Sequence, residues 1–460
     1  MPIKPSSFSF RPSPTFVTLG LLLVVLWLAG GASRGNAAGQ IVVRAAASLA
    51  LIVVIVFGRR SPIASAKPAW VFLSTAIAIT AIQLLPLPMG IWQALPGREF
   101  FNEAANGTGG AWRSLSLVPG ATVNALAALI VPLAVLVSTT ALSKAEKAWL
   151  PGFVLTLVVA SMLLGLLQFS GAGIDNPLVN DTPGAVSGTF ANRNHFALFL
   201  ALGCLLVPVW MLREGSRLQW RGPVGLGLLL LFTLTILASG SRAGMAVGAM
   251  AIVIAGIMAL RGLRRELRHT PRWVLPAVFA AGIALLVALV LVSVAADRAV
   301  SIQRSLSVDV EQDIRSRALP TIWEMTRATF PVGSGPGGFD PIFRAYEPLD
   351  LLKPTYFNHA HNDFVEVVLE LGLPGLLLLA AALAWWAWAS VGAWRDLANR
   401  HSMLPRLGSA MLLLVIVASA FDYPARTPLM MAMMVLAVVW LSSQPDKDMV
   451  SALPGSDWHL

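Results

Sequence analysis

One stretch concentrates the residues able to do chemistry: "NHAHNDFVEVVLELGLPG", residues 358–375. It holds two histidines, an Asn-Asp pair and two glutamates at the point where a long apolar run begins. A histidine can take up a proton near neutral pH, and His361 stands immediately before the run, where it reads as a general base, the competing reading being a helix-capping or hydrogen-bonding histidine. Asp363, Glu366 and Glu370 follow i, i+3, i+7 spacing, so their carboxylates share one helix face. Asp363 with Glu366 three residues on also fits a helix start with a capping side chain. Ionisable groups at membrane depth are costly and point to function, and the competing reading of Glu366 and Glu370 is an ion pair with an arginine on the same side. His359 reads as a neighbour of His361. A metal site built on His359, His361 and Asp363 lacks further Cys or His partners in that region, apart from His195. No metal and no cofactor is expected.

Cations able to serve such a base lie elsewhere in the chain. Arg242 sits in the turn "SGSRAG" (239–244), and Arg315 and Arg317 lie in "DIRSRALPTIWEMTRATF" (313–330). Guanidinium groups present planar forks of donors matched to phosphate oxygens, and two of them can hold a diphosphate. A base beside an anion clamp suits transfer of a group from a lipid diphosphate to a hydroxyl.

The elements that must position these residues follow from composition. The 460-residue chain is 56% hydrophobic and 12% charged, with a mean hydropathy of +0.73. That excludes a soluble globular domain. A helix crosses the roughly 30 Å hydrocarbon core with about 17 to 25 apolar residues. Twelve runs qualify, near 16–31, 41–57, 69–88, 121–142, 149–169, 194–212, 223–238, 243–260, 273–295, 364–393, 404–420 and 428–442. None shows the two-residue alternation of barrel strands, so the expected fold is all-α: a polytopic integral membrane protein of about twelve transmembrane helices. Division of the chain gives a membrane domain of about nine helices (1–295), a helical loop domain (296–362), three further helices (363–445) and a tail (446–460).

The formal charge of +10 is unevenly spread. With a cytoplasmic N-terminus, the inner segments carry nineteen Lys and Arg, and the short outer segments six: Arg34, Arg98, Arg113, Arg193, Arg242 and Arg426. That asymmetry obeys the positive-inside rule, so both termini read as cytoplasmic, and the basic stretch 261–272 reads as a lipid anchor rather than a nucleic-acid site. The first run lacks a small-residue cleavage pattern and reads as a retained span. Cys204 is the single cysteine and lies within a span, which excludes an intrachain disulfide. The outer loops are 89–120, expected to lie on the membrane as a surface helix, then 170–193, 239–244 and 296–362. Within the last, Ile314, Leu319, Ile322, Met325 and Phe330 recur at helical spacing until Pro331 and "GSGPGG" end the run.

The order "GTFANRNHFA" (188–197), "SGSRAG" (239–244), Arg317 with "IW" then "PVGSGPGGF" (331–339), and "HNDFVEVVLELGLPG" (361–375) resembles the bacterial O-antigen ligase and polymerase superfamily over roughly residues 150–440. His361-Asn362 followed after nine residues by Gly372-x-x-Gly375 is similar to the ligase signature. Phe364 stands where tyrosine is also common in that family. The resemblance implies periplasmic transfer of a glycan from undecaprenyl diphosphate to an acceptor hydroxyl, with inversion and without metal, in the bacterial inner membrane. It implies His361 as base, Arg242 and Arg317 as diphosphate ligands, with Arg315 two residues away as the alternative, and Arg193 and Asn194 in donor positioning or loop structure. Asn362, Asp363 and Glu370 are supporting candidates. The expected acceptor is lipid A-core or a growing glycan, and a teichoic-type polymer or a protein offers the same hydroxyl chemistry. The rival readings are a transporter or flippase of the lipid-linked glycan, disfavoured because the polar inventory sits on one face, and a protein O-oligosaccharyltransferase with the same donor site.

Overall fold

The computed structural model describes residues 12–59, 63–102, 112–179, 184–212, 218–266, 310–352, 357–395 and 403–443. Within these the chain is a multi-pass helical bundle: α1 (Pro14–Ala29), α2 (Ala38–Phe57), α3 (Lys67–Ile82), α4 (Pro119–Ala141), α5 (Leu150–Phe169), α6 (Arg193–Met211), α7 (Leu218–Ala238), α8 (Arg242–Glu266), α9 (Val310–Thr329), α10 (Phe339–Tyr346), α11 (Asp363–Arg395), α12 (Met403–Ser419) and α13 (Pro428–Ser442). Seven helices, α2, α4 to α8 and α11, are long and apolar enough to cross a membrane. Four others, α1, α3, α12 and α13, are apolar but shorter. The expected run 273–295 lies outside the described residues.

Helix starts follow local chemistry. Ser13 caps α1 by accepting from the Phe16 N–H at 3.2 Å, with Pro14 in the first turn, where its missing N–H costs nothing. Asn192 caps α6 by accepting from the Asn194 N–H at 2.8 Å. α6 is the axis of the bundle, buried along most of its length against α5, α7, α8 and α12. Its Gly203 permits the approach: a side chain there would run into Val158 of α5 and Phe232 of α7. By contrast α2 turns Ile41, Leu49, Ile52 and Ile55 outward, each more than half exposed, as a lipid-facing stripe requires.

A second, smaller core lies at one end of the bundle, where Ala318, Ile322 and Met325 of α9 meet Phe339, Ile342 and Phe343 of α10 and Leu369 of α11. The face of α9 thus differs from the expected one. Ile322 and Met325 are buried, but Leu319 and Phe330 are exposed, because the contact with α11 selects a stripe one residue round the helix. The segment after α3 likewise differs from the surface helix expected over 89–120. It forms one turn of helix at Met89–Gln93 and a two-stranded ribbon, β1 (Pro86–Pro88) with β2 (Trp112–Ser114). Pro96 and Gly97 interrupt helical propagation there. The fully buried Arg98 ties the segment to the glycine turn, donating to the carbonyls of Leu115 at 2.5 Å and Gly333 at 3.4 Å. Burial pulls that guanidinium down to about 10, still charged at neutral pH.

Candidate active site

The first turns of α11 set the site. Asn362, rather than Asp363, caps the helix, accepting from the N–H groups of Phe364 at 3.0 Å and Val365 at 3.1 Å. Its amide also donates to the Ala420 carbonyl at 3.1 Å, which draws the α12–α13 connection onto the start of α11. Asp363 is freed for another task. Arg426, in that connection, lies across the acidic stripe: Nε is 3.4 Å from Asp363, Nη1 3.2 Å from Glu366 and Nη2 3.0 Å from Glu370. The ion pair weighed as the alternative for the two glutamates is the arrangement present.

Each carboxylate of the stripe then fixes a second segment. Glu366 receives His359 Nδ1 at 2.7 Å and the Ala360 N–H at 2.8 Å, holding the two residues that precede His361. Asp363 accepts from Ser419 Oγ at 2.8 Å, and Glu370 from the Gly337 N–H at 2.8 Å in the glycine turn. The expected Gly372-x-x-Gly375 pattern finds its reason here. Gly372 has φ 61°, its α11 backbone is non-helical at that point, and a side chain would collide with the Pro331 carbonyl. The Leu373 N–H donates to that same carbonyl at 2.8 Å.

His361 is held in a left-handed conformation, φ 51°, the only non-glycine positive φ among the described residues. Such strain persists where surrounding contacts enforce it, and it clusters at functional sites. The enforcing contacts are the Glu366 grip on 359–360, the Asn362 cap, and packing of the imidazole edge-on against Phe357 and Tyr423. The orientation brings His361 Nδ1 to 3.1 Å from Asp422 Oδ1. An ionised carboxylate only accepts, so Nδ1 carries the proton and Nε2 presents its lone pair. The His361 side chain is 14% exposed and that of Asp422 2%, so the carboxylate is sealed in while the imidazole keeps an open edge.

Asp422 is itself fixed from the other side. Its Oδ2 accepts from Asn192 Nδ2 at 2.9 Å and Asn194 Nδ2 at 2.6 Å, and Oδ1 also accepts from the Tyr423 N–H at 3.0 Å. Burial alone would raise its proton affinity. The hydrogen bond with His361, joined by the fields of His195, His361 and Arg315, instead holds Asp422 well below the usual carboxylate range. Asn194 passes the network on by accepting from Ser241 Oγ at 2.7 Å, one residue before Arg242 at the first position of α8. The segments 188–195, 239–242, 357–363 and 420–426, far apart in sequence, thus meet at one end of the bundle. Ser33 joins them through His359 Nε2 at 3.0 Å.

The candidate arginines divide. Arg242 and the half-buried Arg193 stand beside Ser241 and Asn194 of this network. Residues two apart on a helix point about 200° from each other, so α9 can aim only one of Arg315 and Arg317 inward. Arg317 faces out and pairs with Asp350 at 2.6 Å, with side chains 46% and 68% exposed. Arg315 is the inward one, near enough for its charge to act on Asp422 and Tyr423. Asp422 and Arg426 were passed over in the sequence because "DYPAR" (422–426) is a short connection with no spacing relation to His361. The available signals were an arginine against the charge rule and an acid beside it.

An imidazole whose Nδ1–H is held by Asp422 can take a proton at Nε2, and Arg193 and Arg242 lie on segments that meet at this end of the bundle. No curated protein matches the chain. Residues 226–380, which hold Arg242, Arg315, Arg317 and His361 but not Asp422, match the family model described as O-Antigen ligase. That match, over about a third of the chain, supports the likeness of this multi-pass helical protein to the O-antigen ligase and polymerase superfamily.

Proposed function

We propose that the protein is a glycosyltransferase of the bacterial inner membrane, working at the periplasmic face on a glycan carried by undecaprenyl diphosphate. The observation that carries this is the 3.1 Å His361–Asp422 contact, set among arginine-bearing segments on a domain that matches O-antigen ligase. His361 Nε2 takes the proton of an acceptor hydroxyl. The hydroxyl oxygen attacks the anomeric carbon of the donor sugar from the face opposite the leaving group. A new glycosidic bond forms, the bond to the diphosphate breaks, and the configuration inverts. Undecaprenyl diphosphate departs as an anion stabilised by Arg242 and Arg315, an interaction that strengthens as the bond breaks and therefore lowers the barrier. Arg315 takes the place assigned to Arg317 because of the face it occupies on α9. Asp422 keeps His361 in the reactive tautomer and balances the imidazolium that forms.

In this reading both termini are cytoplasmic, the described part of the 296–362 loop, residues 310–352 and 357–362, caps the bundle from the periplasmic side, and the acceptor is lipid A-core or the growing glycan. The test is incubation of purified wild-type and His361→Ala protein with a labelled undecaprenyl-diphosphate oligosaccharide, alone and with lipid A-core. Lipid-linked chains lengthened from donor alone identify a polymerase, and label moving to lipid A-core identifies a ligase. Transfer by His361→Ala at the wild-type rate would remove that residue as base. Absence of undecaprenyl diphosphate release with every acceptor would overturn the assignment in favour of transport.

A further inference from the structure

α2 carries a charge that the reaction above does not use. Arg44 lies six residues beyond the start of α2 at Ala38, about 9 Å along the helix. That start adjoins the 30–37 connection, whose Ser33 touches His359, so Arg44 is near the end of the bundle that holds the active site. A guanidinium at this depth is costly and calls for a counter-charge. None is present among the described residues: Arg44 Nη1 donates to Asn124 Oδ1 at 2.8 Å and Nη2 to Gln40 Oε1 at 3.4 Å, both neutral.

The side-chain oxygens of Asn124 and Gln40 are taken by Arg44, and what the cluster has left to offer are donors. Gln40 is committed inward, giving its own amide to the Ala32 carbonyl at 2.6 Å. Arginine has five N–H groups, two are used, and the Nε–H is buried without an acceptor. Because the Asn124 oxygen faces Arg44, the Asn124 amide nitrogen points away with no protein acceptor among the described residues. Its nearest constraint is Gly35, where a side chain would press on that nitrogen. Ile41 at 75% exposure and Val123 at 53% flank the pair, so the opening between α2 and α4 faces the hydrocarbon rather than the interior of the bundle.

We propose that Arg44 and Asn124 form a binding site for the negatively charged phosphate of a membrane lipid, held between α2 and α4 with its acyl chains along Ile41 and Val123. A phosphate supplies acceptor oxygens to a set of unpaired donors and neutralises the guanidinium, and its tail fits a lipid-facing cleft. The site is separate from the arginines proposed for the donor diphosphate, and it stands or falls independently of the transfer reaction.

The experiment is thermal unfolding of the full-length protein in a neutral detergent, titrated with phosphatidylglycerol, diacylglycerol of the same chains, or inorganic phosphate. Phosphatidylglycerol should raise Tm saturably, with diacylglycerol inert and inorganic phosphate far weaker. Arg44→Gln should weaken the phosphatidylglycerol response about tenfold or more, the size expected for loss of a charge-assisted hydrogen bond. Arg44→Lys should retain part of it. Asn124→Leu, which keeps the charge, should also weaken it and carries the test if Arg44→Gln does not fold. An unchanged response in Arg44→Gln, an equal effect of diacylglycerol, or inorganic phosphate matching the lipid at equal concentration would each overturn the proposal.

Discussion

Replacing Asp422 with asparagine probes the site most sharply, because the change keeps shape and removes one charge. All four hydrogen bonds of the carboxylate come from N–H donors: Asn192 and Asn194 at Oδ2, His361 and Tyr423 at Oδ1. An amide can offer an oxygen to only one pair and must turn its own N–H2 toward the other. Placed at Oδ2, the new amide opposes two donors whose own oxygens are committed, Asn192 to the Asn194 N–H and Asn194 to Ser241. Two buried donors left unsatisfied cost roughly 2–6 kcal/mol, at about 1–3 kcal/mol each. Placed at Oδ1, it strands the Tyr423 N–H, and His361 can relieve its own clash only by moving its proton to Nε2. That rearrangement preserves the fold and disables the base. The variant is therefore either a destabilised protein or a folded one that has lost most of a general base's contribution, about 10²–10⁴ in rate. The assay is undecaprenyl diphosphate release by reconstituted protein, with thermal unfolding measured on the same preparations. Asp422→Asn combined with His361→Ala should turn over no more slowly than His361→Ala alone, since the two act as one unit. A folded Asp422→Asn protein within about threefold of wild-type rate, a barrier change below 1 kcal/mol, would refute the argument.

Other substitutions test other links. Arg426→Met leaves Asp363, Glu366 and Glu370 without their shared cation and should cost about 3–5 kcal/mol, read as a large fall in Tm. Adding Glu366→Gln and Glu370→Gln should recover part of that loss, and an unchanged Tm in Arg426→Met would dismiss the staple. Arg315→Gln should depress donor-dependent turnover, whereas Arg317→Gln removes only an exposed pair worth about 0–1 kcal/mol and should leave activity intact; the reverse pattern restores Arg317 as the donor ligand. Gly372→Ala drives a side chain into the Pro331 carbonyl at φ 61° and should destabilise by about 1–3 kcal/mol, measured by thermal unfolding. The depressed proton affinity of Asp422 means its contribution is fully present above the unfolded value of about 3.9 and is lost as pH falls toward the folded one. The stability gap between wild type and Asp422→Asn should therefore be flat from pH 5 to 8 and shrink below about pH 4.

Hydropathy and helix periodicity were enough to place this chain in the membrane and to locate every apolar helix among the described residues; side-chain chemistry at the start of a span singled out His361, and resemblance to a family pointed to the glycines that follow it. Each of those properties is local: a run of apolar side chains, a cap, a left-handed residue. Local spacing also put Asp363, Glu366 and Glu370 on one face, and it left open whether that face served catalysis or an ion pair. Only packing decided. Arg426 arrives from a connection 56 residues beyond Glu370, and Asp422 from 61 residues beyond His361. Their meeting depends on how α12 and α13 lie against α11. The same holds for α9, where period alone put Leu319 and Phe330 in one stripe with Ile322 and Met325 and could not choose between Arg315 and Arg317. The hydrophobic pattern of an amphipathic helix is broad enough to tolerate a shift of one residue, and a shift of one residue turns a side chain by about 100°. The sequence by itself determined which residues could act and where the helices would run. Tertiary structure decided which of them face one another, because charge pairing across helices depends on distances that no single segment encodes.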